Sequence, residues 1–100
     1  MGSVSSIAIS GIAAAQLRLD AASHNIANWQ TPNFRREEVT QRELPDGGVT
    51  ASVEQSESTV PQLNTDVVEQ MSAGYTFDAN LRTLRTEQDM LKTKNFGRKS

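Results

Sequence analysis

Residues 5–34 read SSIAISGIAAAQLRLDAASHNIANWQTPNF, an alanine-rich run that stops at two asparagines, a tryptophan and a Thr-Pro step. Within this run, positions 5, 12, 19 and 26 are Ser5, Ile12, Leu19 and Ile26, while Ala8, Ala15 and Ala22 lead on to Trp29. The two series interleave at spacings of three and four. That is the seam of a helix packed on another helix, with large side chains at one position and small ones at the other. Ile7, Ile9 and Leu17 lie off the seam and widen the apolar surface. The spacing predicts a helix over about residues 5–28, roughly 36 Å long. Gly11 costs such a helix about 1 kcal/mol relative to alanine, which points to a close contact there. Pro32 disfavours helical geometry at Thr31, so the helix breaks just after Asn28 or Trp29. Asn33, among the few non-glycine residues that tolerate positive φ, suits a tight turn beyond the break.

The second half mirrors the first. Val60, Leu63, Val67, Gln70, Gly74, Phe77, Leu81, Leu84, Gln88 and Leu91 again alternate by three and four. Val68, Met71 and Tyr75 widen that stripe, and Asp78 and Arg82 form an i,i+4 pair. These features predict a helix over about residues 64–94. Asn64 or Thr65 serves as N-cap, Asp66 and Glu69 favour its first turn, and Lys92 and Lys94 its last, with Gly97 just beyond. Between the helices, Pro45-Asp46-Gly47-Gly48 is a turn signal. Val49, Ala51 and Val53 alternate with polar residues after it, as in a half-buried strand, whereas the stretch before it offers only Val39 and Leu44 as apolar anchors. Residues 54–62 read as a polar linker.

The composition narrows the function classes. A chain of 100 residues with 36% hydrophobic residues has a small core of its own, and the absence of cysteine excludes disulfides and thiolate metal sites. Assembly with other chains is the remaining route to stability. A net charge of −2 argues against nucleic acid as the main partner, and no apolar run is long enough to span a bilayer. Arg35 and Arg36 and the basic ending have only Phe34 and Phe96 to offer for base stacking, so they read as solvated helix ends. The first residues lack the pattern of a cleaved secretory signal. His24, the sole histidine, would be an i,i+4 neighbour of Asp20, which is a surface helix contact rather than a catalytic pair. No catalytic, cofactor-binding or metal-ligating set emerges, and the expectation is that the protein is not an enzyme.

The segment NIANWQTPNFRRE resembles the N-terminal signature of the bacterial flagellar axial proteins, the rod and hook family. There a helix ends in Asn-x-x-Asn-x-x-Thr-Pro-Gly-Tyr and a basic residue follows. Asn25, Asn28, Thr31 and Pro32 match; Asn33 stands in place of Gly, Phe34 in place of Tyr, and Arg35 supplies the basic group. Downstream, FDANLRTLRTEQDML at 77–91, with Asn80, is similar to the C-terminal helix of the same family. The resemblance implies that the two terminal helices form the inner, coiled-coil-like tube of a rod. It also implies export through the flagellar type III apparatus without a cleaved signal, and a periplasmic rod location. Other rod and axial proteins, and copies of the same chain, would be the partners.

The expected fold is mainly α, with two long helices packed as an antiparallel, coiled-coil-like hairpin and a small β-hairpin between them. The segments are 1–34 (helix and exit motif), 35–62 (β arm and linker) and 63–100 (second helix and basic tail), forming one domain. The expected helix-packing residues are Ile12, Ala15, Leu19, Ala22, Ile26, Trp29, Val67, Phe77, Leu81, Leu84 and Leu91. A rival reading with the same stripes is a soluble helical-hairpin adaptor of a type III export system that does not polymerise.

Overall fold

Ser3 starts the first helix by accepting the Ser6 amide on its hydroxyl at 3.0 Å, which satisfies one of the donors a helix start leaves unpaired. The computed structural model describes residues 3–99, with side chains as far as residue 93. Four elements follow in order: α1 (Val4–Ala27), β1 (Glu37–Glu43), β2 (Val49–Gln55) and α2 (Leu63–Lys99). The chain is therefore two long helices packed together, with a small antiparallel β-hairpin between them in sequence. Helix α2 does not stop at 94; it passes through Gly97. One glycine costs a helix only about 1 kcal/mol, and no proline follows to end it. The expected roles of the Lys94 and Phe96 side chains lie outside the described residues.

The helices run antiparallel. Asn25 touches Asp66, Arg18 touches Glu69 and Ser72, and Gly11 lies against Asn80. Val4 shares a groove with Glu87, so the residues of α2 beyond it extend past the start of α1. The first turn of α1 contains no acid of its own.

Small side chains form the seam. Among the described residues Ala8, Ala14, Ala15, Ala21, Ala22 and Ala73 are the buried apolar ones, whereas Ile12, Leu19 and Ile26 are half-buried. A Cβ at Gly11 would sit 2.7 Å from the Asn80 amide, closer than any real contact, and this accounts for the glycine. On α2 the expected line needs correction in one of its two series. Leu63, Gln70, Phe77 and Leu84 are half-buried, but the alternating series runs through Asp66, Ala73, Asn80 and Glu87. Val67 is 38% exposed, and a Cβ at Gly74 would meet nothing within 4 Å. Apolar periodicity misses this line because three of its four residues are polar: Asp66 meets Arg36 and Asn25, Asn80 lies against Gly11, and a Glu87 carboxylate oxygen is buried without a hydrogen-bond partner.

In the hairpin, the Gly47 amide donates to the Leu44 carbonyl at 3.0 Å, with Gly47 at φ 94°, a conformation that needs glycine. The register pairs Glu37 with Gln55, Val39 with Val53 and Glu43 with Val49. The hairpin lies along α1. At its tip Val49 donates its amide to the Ser10 hydroxyl at 3.1 Å, and at its base Glu37 is bonded to Asn25. The fit is metric: the fifteen helical steps from Ser10 to Asn25 span about 22 Å and the six strand steps of β1 about 20 Å, with the turn adding the remainder.

Two alanine substitutions separate contact from propensity. Gly74→Ala is expected to stabilise the fold by about 1 kcal/mol through helix propensity alone. Gly11→Ala is expected to cost about 1–3 kcal/mol by forcing Asn80 aside, and Asn80→Ala in that background should recover much of it. Urea midpoints followed by circular dichroism check all three.

Candidate functional site

The exit from α1 is built by Asn25, Asn28 and Thr31, one helical turn apart. Asn28 donates its side-chain amide to the His24 carbonyl at 2.9 Å, and its backbone amide lies 3.2 Å from the same carbonyl. This caps carbonyls that the end of a helix would leave unpaired. The Thr31 amide then donates to the Asn28 carbonyl at 2.9 Å, and the Phe34 amide to the Thr31 carbonyl at 3.3 Å, a sequence of tight turns that carries the chain around. Pro32 is exposed within them. Asn33 takes φ 60°, the left-handed conformation that asparagine tolerates and most residues avoid.

Asn25 does something different. It is only 2% exposed and uses both ends of its amide on one backbone unit. Its oxygen accepts the Glu37 amide at 2.7 Å, and its nitrogen donates to the Glu37 carbonyl at 2.8 Å. The side chain thus replaces a neighbouring strand at the first residue of β1. The same nitrogen lies 3.3 Å from an oxygen of Asp66, which is also 2% exposed.

Arg36 completes the junction. Its Nε lies 3.1 and 3.0 Å from the two Asp66 oxygens, and its terminal nitrogen donates to Oδ1. The hydrogen bond to Asp66 raises the Arg36 pKa above its ordinary value, burial opposes it, and the charges of Asp66 and Glu38 add to the rise. Asp66 sits in the first turn of α2, where a carboxylate also meets the positive end of the helix. Around this core, Arg35 donates to the Ser56 carbonyl at 2.6 Å, and the Ser56 amide donates to the Arg36 carbonyl at 2.7 Å, closing the base of the hairpin.

The structure brings Asn25, Asn28, Thr31 and Phe34 together, with Trp29 on the same rim. Asn80 is elsewhere, about 21 Å along α2 from Asp66, against Gly11. Of the expected packing residues, Ala15 and Ala22 are buried, and Ile12, Leu19, Ile26, Phe77, Leu81 and Leu84 are half-buried. Trp29, Val67 and Leu91 remain 41%, 38% and 54% exposed. His24 does not pair with Asp20, which instead accepts from Gln16 at 2.8 Å. Its ring stands edge-on to Phe34 with centroids 5.2 Å apart, and its Nε2 is 3.6 Å from Glu37. The backbone turn brings Glu37 and Phe34 to it, which helix spacing cannot anticipate. The pairing of Arg36 with Asp66, thirty residues apart, escaped sequence reasoning; the signal was an aspartate on a helical seam. Among the described residues no group of three or more potential metal ligands is assembled, and no helix is long and apolar enough to cross a membrane.

The side chains of Asn25, Arg36 and Asp66 are committed to holding three segments in place. Residues 6–35, which cover α1 and its exit turn, match the family of flagella basal body rod proteins. The match covers thirty of the chain's 100 residues and is a likeness to that family over the first helix and its exit turn. No curated protein matches the chain.

Removing the carboxylate should be costly. Asp66→Ala leaves Arg36 buried without its counter-charge, and a loss of about 3–5 kcal/mol is expected. The double change Arg36→Met with Asp66→Leu should cost clearly less, as measured by urea denaturation. By contrast, Asn33→Gly should be neutral or stabilising by less than about 1 kcal/mol, whereas Asn33→Val should destabilise by about 1–2 kcal/mol, because only the former accepts positive φ without strain. Thermal melts of the two variants distinguish these outcomes.

Proposed function

We propose that this chain is a subunit of the flagellar basal-body rod that assembles through its helices, with other rod proteins and copies of itself as neighbours. The observation that carries the reading is the match over residues 6–35, which coincides with α1 and its exit turn. The exposed apolar stripe of Val68, Met71 and Tyr75, at 64%, 55% and 72%, agrees with it, since stacked neighbours would supply burial that the alanine seam does not. On this reading residues 1–34 and 63–100 form the helical wall and residues 35–62 a short arm. Asn25, Asn28, Thr31, Pro32 and Phe34 shape the turn between wall and arm, and Asn80 sets the close approach of the helices. Ile12, Leu19, Ile26, Phe77, Leu81 and Leu84 carry contact between helices, while Trp29, Val67 and Leu91 remain for neighbours. Export runs through the flagellar type III apparatus, and the rod location is periplasmic.

Basal bodies purified from the source cells should contain the chain, and a strain lacking it should lose most of its swimming motility. Recovery of the chain only with export components, never in washed basal bodies, would favour a non-polymerising adaptor instead.

A further inference from the structure

A sheet of two strands has two outer edges, and the register shows which backbone groups face them. The Ser56 amide donates to the Arg36 carbonyl and the Leu44 amide to the Gly48 carbonyl, so even-numbered residues exchange the bonds between β1 and β2. Odd-numbered residues turn their amides and carbonyls outward. On β1 the first of them is taken, because Asn25 occupies both backbone groups of Glu37. On β2 the Val49 amide is taken by Ser10. Among the described residues, the outward backbone groups of Ala51, Val53 and Gln55 have no partner. Strand β2 also carries none of the devices that guard an edge. It contains no proline or lysine, no bulge interrupts its register, and its single charged residue is Glu54.

We infer that β2 pairs antiparallel with β2 of a second copy, about a twofold axis at Ser52, to make a four-stranded sheet. In that register Ala51 and Val53 of each copy exchange backbone bonds with Val53 and Ala51 of the other. The Val53 side chain, 40% exposed in the single chain, then packs beside Ala51 of the second copy on the face that Val39 and Val49 share.

Charge selects both the occupant and the register. On the opposite, exposed face, Glu38 is directly across from Glu54, an unfavourable like-charge pair, and Arg36 lies 3.7 Å from Glu38. Among the described residues Glu54 and Arg42 form no ion pair. Arg42 is across from Thr50. Pairing about Ser52 sets Thr50 beside Glu54 of the second copy. One row across the sheet then reads Arg42, Thr50, and Glu54 and Glu38 of the second copy. Each arginine reaches over a threonine towards two carboxylates, and the symmetry makes the contact twice. A shift of register towards Val53 would bring the two Glu54 side chains together diagonally. A shift the other way needs the Val49 amide, which Ser10 holds. Because the surface pairs with itself, the contact closes at two copies and is separate from the assembly proposed above.

The oligomeric state of the full chain tests this. Sedimentation velocity at low salt should show a concentration-dependent equilibrium between monomer and dimer. Val53→Pro removes an outward amide and no bond between β1 and β2. It should weaken dimerisation about tenfold or more with the circular dichroism spectrum unchanged, and Arg42→Glu should also weaken it. Cysteine substitution reads the register, since the chain has no cysteine of its own. Ser52→Cys should oxidise to a covalent dimer, because position 52 meets itself at the axis. Thr50→Cys alone should not, but mixed with Glu54→Cys chains it should. A native chain that stays monomeric at every concentration, or a Val53→Pro variant that dimerises as the native chain does, would overturn the contact. So would Ser52→Cys chains that cross-link no more readily than Thr50→Cys chains.

Discussion

The Asp66 carboxylate, shut away from water at the start of α2, takes a bidentate contact from Arg36 and a further hydrogen bond from Asn25. Those three residues belong to three segments, so one buried group joins the end of the first helix, the start of the arm and the start of the second helix. An ion pair out of water gains little net stability, because desolvating two charges offsets most of their attraction. What it does impose is uniqueness: a different register would strand a charge without a partner. Asn25 extends the constraint by treating Glu37 as a strand would, which fixes where β1 begins and how it lies on α1. With the base of the hairpin held there, its length brings the tip to Ser10.

The seam between the helices obeys a second constraint, close approach. Alanines bury little apolar area each, so the hydrophobic return is small by the usual ~25 cal/mol per Å². The shape makes this sharper, because a body of 66 × 24 × 13 Å has almost no interior. The larger apolar side chains consequently stay partly or mostly outside. Such a distribution agrees with the assembly proposed above, in which neighbours complete the burial.

Much of this was legible in the residues. The heptad series of α1, the Pro-Asp-Gly-Gly turn, the break after Asn28 and the suitability of Asn33 for positive φ all follow from local rules, because each depends on residues a few positions apart. Gly11 even announced a close contact, although not its partner. The line of contact on α2 was displaced by one residue for one of its series. Val67 looked like the better seam residue than Asp66, since periodicity weighs hydrophobicity and cannot foresee that an acid will find an arginine from another segment. The His24 contact failed for the same reason: Glu37 and Phe34 reach it only through the turn.

By itself, then, the sequence determined the kinds of elements, their approximate limits and the turn that separates them, since backbone preferences and side-chain periodicity act over one or two helical turns. Only the tertiary structure decided which faces meet and which polar groups are buried. Burying the Asp66 carboxylate is costly without partners, and those partners, Asn25 and Arg36, are brought to it by the fold from positions up to forty-one residues apart.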